Sequence, residues 1–482
     1  MSSSSICGKN LKLSIFGASH DPEIGMHLEG IPAGTKIDPE KLAAFMARRA
    51  PGRNPWSTPR KEADLVEFRA GVERKNPEVV DCGSDNGEVS CQECSEQRIS
   101  NRNSGGRYLI ADGSTITAVI RNTNTKSSDY DELKCVPRPG HADYAAYMKY
   151  GLEWDNAGGG QFSGRMTAPL CIAGGICLQL LERRGIRIFA RLVSVGEITD
   201  SAVLVRFEEA EEKLKSSDFP VASDEVAAKM KAEIEKAAAD GDSVGGVVEC
   251  IATGLPVGLG GPLFEGLEGR LAQVVFAIPA VKGVEFGAGF GAARMRGSEN
   301  NDEYCIARYG AGSVGRETDT KTGDGAGADA AEYSGGSAES VINEGMSAGN
   351  AKIGAPAGGD EATDNAGIAG DAKTKAGARA DNAENANGIG GLADAAPMVR
   401  TLSNNAGGVL GGISTGEPLV FRAAFKPTPS IAKEQRSVDL RTMTETAIAI
   451  KGRHDPCVAV RAVPAVEAAA AIAIYDMLRT CE

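Results

Sequence analysis

The stretch APLCIAGGICLQLLERRGIRIFARLVSVG, residues 168–196, sets the fold class. Its first part, 168–185, reads as a mostly apolar helix stopped by Gly185, a residue suited to the left-handed turn that closes helices. The pair Gly174-Gly175 inside it marks close packing against a neighbour. The second part, 186–196, alternates as a strand does. The same alternation of elements continues outward. IDPEKLAAFMARRA (37–50) is a helix with Asp38 as N-cap and Pro39 at its first position. DEVAAKMKAEIEKAAADG (224–241) is a charged amphipathic helix, followed by the strand-like VGGVVECIATG. AVPAVEAAAAIAIYDMLR (462–479) is a small-residue helix able to pack tightly. Helices and strands in this order specify a layered α/β sandwich, without fixing its strand order.

The whole chain sets bounds on this reading. It has 482 residues, room for one large domain or two or three ordinary ones, and 42% are hydrophobic, enough for a proper core. No run of eighteen apolar residues predicts a membrane span. The N-terminal MSSSSICGKN lacks the apolar core of a secretory signal, so the expected location is cytoplasmic. Eleven cysteines, an odd number, suit a reducing compartment. Cys91 and Cys94 form one isolated C-x-x-C with nothing to complete a metal site, so no metal is expected. A net charge of −13 and 5% aromatic residues argue against nucleic-acid binding and anionic-membrane binding. Two stretches look foreign to the rest: a polar one at 74–107, and a Gly/Ala/Asp/Asn-rich one at 311–396. The latter holds too few large apolar residues to offset chain entropy and reads as a disordered insertion.

Outside these stretches, glycines, basic residues and proton-moving groups gather in five places. FGASHDPEIGMHLEGIPAG (16–34) sets His20 at a turn after an apolar strand, while His27 reads as structural. RRAPGRNPWSTPRKEAD (48–64) is an arginine- and lysine-rich loop stiffened by proline, suited to phosphate or carboxylate. RPGHADY (138–144) places the scarce His141 in a Pro-Gly turn. Just beyond it Gly158-Gly159-Gly160, with Ser163, Arg165 and Thr167, precedes a helix, as an anion cradle would. Gly287, Gly289 and Gly291 do not complete a dinucleotide fingerprint, because residue 292 is Ala. The last region, 404–467, carries glycine pairs, Lys426, Arg453, His454 and Asp455. No nucleophile elbow, Walker sequence or zinc-protease helix occurs. The residues alone describe an α/β enzyme that binds a small polyanion and moves protons with histidine.

Together the five stretches resemble chorismate synthase. GASH (17–20), RRAPG (48–52), TPRKEAD (58–64), RPGHADY (138–144) and the GGG…S…R…T loop follow the family's order. GLGGPLF (258–264), AVKGVEFG (280–287), GSENND (297–302), NNAGGVLGGIS (404–414), KPTPSI (426–431) and GRHDPCVAVRAVP (452–464) complete it. The match spans 1–482 as a single domain, with the two foreign stretches as insertions. The resemblance implies a β-α-β sandwich, assembled as a homotetramer. It implies anti-1,4-elimination of phosphate from 5-enolpyruvylshikimate 3-phosphate, giving chorismate in the shikimate pathway. Reduced FMN (FMNH2) is the implied cofactor, and NADPH its reductant in a bifunctional form.

By the same resemblance His20 stands near the leaving phosphate, His141 near the reduced flavin, and Asp455 assists proton removal. Ser163, Gly411, Lys426, Pro427, Thr428, Pro429, Ser430 and Arg453 are implied flavin-binding residues. Ser19, Arg49, Arg60, Arg138 and Arg165 are implied to serve substrate or phosphate. The chain departs from the usual family pattern at Asp21, where Gly is common, and at Gln161-Phe162 and Met166 of the glycine loop. Pro55 and Pro279 depart as well. Two other readings compete with the lyase. One is a flavin reductase on the same site, and the other is a non-catalytic scaffold working through the 311–396 stretch.

Overall fold

A computed structural model describes residues 3–52, 56–58, 62–75, 108–123, 135–202, 204, 206–307, 398–450 and 454–478. The apolar helix at the centre of the sequence reading is Thr167–Glu182, and it is buried along nearly its whole length. It packs against Ala459–Leu478, which is buried on all sides. Each helix also covers one sheet. Thr167–Glu182 lies on a five-stranded antiparallel sheet ordered Ser3–Cys7, Lys12–Phe16, Glu23–Glu29, Ile116–Arg121, Glu67–Ala70. Ala459–Leu478 lies on a second, ordered Ile198–Thr199, Arg187–Val195, Gly246–Thr253, Leu419–Phe425, Val281–Phe286. Two sheets with helices between them make the β-α-β sandwich. One apolar core runs through all its layers.

Both glycines mark close contacts of the central helix, Gly174 with Ala459–Leu478 and Gly175 with helix Pro39–Arg49. A Cβ on Gly174 would overlap Ala468, and one on Gly175 would lie 2.6 Å from Leu42 Cδ1. Gly174 and Ala468 therefore set the separation of the two buried helices. Gly174→Val is expected to destabilise the protein by about 1–3 kcal/mol through overpacking, read as a lower urea midpoint at unchanged m-value.

Details depart from the sequence reading for physical reasons. The last helix starts at Ala459, with Pro464 inside its first two turns. Arg187–Val195 is buried on both faces, because helix Phe207–Ser216 covers its outer side through Phe189, Leu214 and Ile251. At its centre Arg191 is buried and bonds Glu249 and the Ala202 carbonyl, both at 2.9 Å. The N-cap expectation holds: Asp38 Oδ1 accepts from Glu40 N at 2.9 Å and Lys41 N at 3.1 Å.

Residues 76–107 and 308–397, which hold most of the two foreign stretches, lie outside the described residues. Their flanks do not. Arg74 and Lys75 belong to strand Val72–Lys75, whose Lys75 pairs with Tyr108, and Ala307 pairs with Met398. Each segment thus leaves and re-enters the fold at adjacent points of an antiparallel pair.

Candidate functional site

Two loops meet at the edge of the sandwich. After strand Lys12–Phe16 the chain turns at Gly17 (φ 92°) and passes through Ser19 and His20. The Ser19 amide donates to the Gly160 carbonyl at 3.1 Å, and Asn122 Nδ2 donates to the Asp21 carbonyl at 2.7 Å. The second loop holds Gly158, Gly159 and Gly160 with φ of 58°, 87° and 53°. Three successive left-handed residues are open only to glycine. A Cβ on Gly158 would stand 2.6 Å from Ser19 Oγ and 2.8 Å from His20 Nε2; one on Gly159 would stand 3.1 Å from His141 Nε2. Neighbouring glycines therefore face the two histidines expected to move protons. Ser163 then caps the run into the central helix, its Oγ accepting from Arg165 N at 3.3 Å.

His141 is held from behind. Its Nδ1 lies 2.6 Å from Oδ1 of the fully buried Asp143 and 3.2 Å from Arg138 Nη2. Nδ1 cannot serve both, since the guanidinium only donates and the carboxylate only accepts. The shorter contact to an anion decides: Nδ1 carries the proton and donates to Asp143, leaving Nε2 toward Gly159. Arg138 grips the same carboxylate through Nε at 2.7 Å and Nη2 at 2.8 Å. Despite burial, the bonds from Arg138 and His141 hold the Asp143 carboxyl far below its usual range. Burial lowers the His141 pKa, against the hydrogen bond it donates to Asp143, which raises it, and Arg138 adds to the lowering. At neutral pH the imidazole is uncharged.

The turn after strand Leu419–Phe425 closes one side. Lys426 Nζ donates to the Gly140 carbonyl. A Cβ on Gly140 would meet Pro429 Cβ at 3.5 Å. Ser430 Oγ accepts from Arg138 Nη1 at 3.4 Å, and the Thr428 carbonyl accepts from Ser243 Oγ at 2.7 Å. The stretch 426–430, Pro427 included, thus lies against the His141 loop. Gly411 does not join it. It sits in the hairpin Val409–Leu410/Ile413–Ser414, at the opposite end of Leu419–Phe425, about 20 Å away along a seven-residue strand.

Asp455 accepts from the Thr58 amide and from Arg461 Nη1, each at 2.7 Å. Arg49, Arg138 and Arg165, expected to serve substrate or phosphate, have side chains only 2, 2 and 4% exposed. Arg49 donates to Asp64 at 2.6 Å, to Thr167 Oγ1 at 3.1 Å and to the Gly164 carbonyl at 3.1 Å. Arg165 bonds the other oxygen of Asp64 and, at 3.0 Å, Asn122 Oδ1. These guanidiniums frame the site: burial demanded counter-charges, and Asp64 and Asp143 supply them. Arg60 and Arg453 lie outside the described residues. Sequence reasoning gave no role to Asp64, Asn122, Asp143 or Arg461. The two-residue spacing of His141 and Asp143 was the one local signal for this set.

His454 Nε2 is buried and has no hydrogen-bond partner among the described residues. Burial pushes its pKa down to about 4, helped by Arg138 and His141 and opposed by Asp455. In the unfolded chain the imidazole titrates near ~6.5. Acidification below that value therefore protonates the unfolded state first, and stability falls between pH 6.5 and 4, by on the order of 3 kcal/mol. His454→Phe is expected to flatten that part of the stability–pH curve, measured by urea unfolding at pH 7.0 and 4.5.

The profile of the family described as chorismate synthase matches residues 11–79, 90–354 and 363–478. Curated chorismate synthases similar to the chain include one from Lancefieldella parvula, 34% identical over 98% of this chain and 95% of that protein. Another, from Korarchaeum cryptofilum, is 34% identical over 98% and 96%. A third, from Thermococcus gammatolerans, is 35% identical over 98% and 96%. Among solved structures, one described as the crystal structure of chorismate synthase superposes with a TM-score of 0.57 at 22% identity, covering 98% of this chain and 93% of the other.

Proposed function

The chain belongs to the chorismate synthase family, and from that premise we propose that it converts 5-enolpyruvylshikimate 3-phosphate to chorismate by anti-1,4-elimination of phosphate, with reduced FMN at the site described above. As a member of that family it is a lyase of the shikimate pathway, which serves aromatic amino acid biosynthesis. The observation that carries the detailed reading is the placement of His20 and His141 on adjacent glycines of one loop.

The residues present suit a flat, anionic cofactor beside an anionic substrate. The left-handed glycines let the loop approach Ser19, His20 and His141 more closely than any side chain would allow. Lys426 stands beside Gly140, and His454 offers a buried ring nitrogen without a partner among the described residues. Ser163 and the turn Lys426–Ser430 would hold the flavin. When bound, reduced flavin supplies electron density to the substrate while the C–O bond breaks.

The protein's own groups do the rest. His20, against Gly158, donates a proton to the departing phosphate. His141 presents an unprotonated Nε2 whose orientation Asp143 fixes, so it accepts a hydrogen bond at a defined point. The Asp455 carboxylate, held between Thr58 and Arg461, assists removal of the ring proton. Arg49 and Arg165 act as positioning residues: through Asp64, Thr167 and Gly164 they tie the glycine loop to the central helix.

Assembly as a homotetramer is supported by an apolar surface. Val257, Leu263 and Phe264 are 75, 89 and 93% exposed, and Leu410 and Ile413 are about half exposed. A bridge between Gly260 and Ile413 brings these segments together. A patch of this kind marks a protein interface, and Gly411 belongs to it.

The test is anaerobic release of phosphate and chorismate from 5-enolpyruvylshikimate 3-phosphate with chemically reduced FMN, run beside oxidised FMN plus NADPH. Turnover in the first arm is the expected result. Turnover in the second identifies the bifunctional form. Flavin binding without turnover in either arm overturns the lyase reading.

A further inference from the structure

We infer that His454 touches the ligands directly, its Nε2 filling a hydrogen bond to an oxygen of the bound flavin or shikimate ester. This rests on the reading of the site given above. Three observations carry it. The nitrogen is buried, yet no described residue bonds it. Its surroundings are the groups of the site: Arg138, His141 and Asp455 are the charges that act on it. Asp455, its chain neighbour, is fixed by Thr58 and Arg461. The backbone at 454–455 is therefore tied to residues that frame the site.

A buried ring nitrogen left without a partner forfeits its hydration, and such an atom in a native fold needs a reason. A ligand that completes it is one. The ligands here are rich in acceptors: the ester carries two carboxylates and a phosphate, and the flavin carries carbonyls and a phosphate. Burial and the neighbouring Arg138 keep the imidazole neutral before they arrive. A neutral ring with Nε2–H donates to such an oxygen without placing a second cation beside Arg138.

Two substitutions separate ligand contact from packing. His454→Phe keeps the ring shape and removes both nitrogens. His454→Gln places an amide nitrogen near the position of Nε2. If the ring only fills space, His454→Phe leaves binding unchanged and its midpoint of unfolding equal or higher, since an unsatisfied polar atom has been removed. The expected result is different: an unfolding midpoint equal to or above wild type, together with at least about tenfold weaker binding, and substantial recovery in His454→Gln. FMN affinity, measured by flavin fluorescence quenching without substrate, reports the flavin as partner. KM for the ester at saturating reduced FMN reports the ester. A loss in one arm alone assigns the contact to that ligand. FMN affinity and KM both within twofold of wild type in a folded His454→Phe overturn the inference. Failure of the wild-type protein to release phosphate would instead remove the reading of the site on which it rests, while the FMN arm still decides the flavin contact.

Discussion

Gly159→Ala is expected to lower kcat/KM by about two orders of magnitude or more in a protein that still folds. Two effects combine. The residue sits at φ 87°, where a side chain costs about 1–2 kcal/mol. The added methyl also lands 3.1 Å from His141 Nε2 and 3.5 Å from Ser163 Cβ. It occupies the face that His141 presents to the ligands and pushes the loop outward. Displacements of about 1 Å at a reacting centre cost about 10²-fold. The backbone strain is small beside the stability of a core running through the whole sandwich. The loss therefore belongs in turnover, not in the unfolding curve. Gly269→Ala is the control. Gly269 lies within helix Leu267–Val275 with nothing near its Cβ position, so alanine there raises stability by up to about 1 kcal/mol and leaves kcat/KM unchanged. Equal activity of Gly159→Ala and wild type would remove the glycine loop from the site.

The layering was readable because periodicity and small residues report burial directly. A helix apolar around its circumference, Thr167–Glu182, and an alanine-rich partner, Ala459–Leu478, could only be interior. Strand order was not readable. The first sheet inserts Ile116–Arg121 between Glu23–Glu29 and Glu67–Ala70, a pairing between residues some ninety positions apart that no local pattern encodes. The site divides in the same way. His20, His141 and the three glycines announced themselves as rare or conformationally special residues in turns. The buried partners of the arginines were not readable, because a guanidinium in a loop looks alike whether it meets a ligand, a buried carboxylate or both. Only the fold brings Asp64 to Arg49 and Arg165, across 15 and 101 residues. His454 was visible, but its unfilled nitrogen is a fact of packing.

Asp143→Asn tests the dyad behind His141 and is expected to reduce kcat by about 10²–10⁴-fold, the range that a misplaced proton-transfer group removes. Asp143 serves two partners at once. As a carboxylate it accepts from His141 Nδ1 and from the Arg138 fork. The asparagine amide retains one acceptor, and its NH2 takes either the Oδ2 place, facing Arg138 alone, or the Oδ1 place, facing His141 as well as Arg138. Facing Arg138, it sets donor against donor. Facing His141, it donates to Nδ1, which moves the ring proton to Nε2 and reverses what the ring offers the ligands. Either way Arg138, 2% exposed, loses its counter-charge. Removing one partner of a buried pair costs about 3–5 kcal/mol. The acid dependence of stability changes as well. The carboxyl is held below its unfolded value, so the wild-type contribution is complete above about pH 4 and is lost as pH falls toward the folded pKa. Asp143→Asn lacks that loss, and its stability should vary less with pH below 4. The tautomer of His141, read from imidazole 15N shifts, separates the two effects: a shift to Nε2–H with low turnover places the damage in orientation. An unchanged tautomer with kcat within threefold of wild type would show that His141 acts without Asp143.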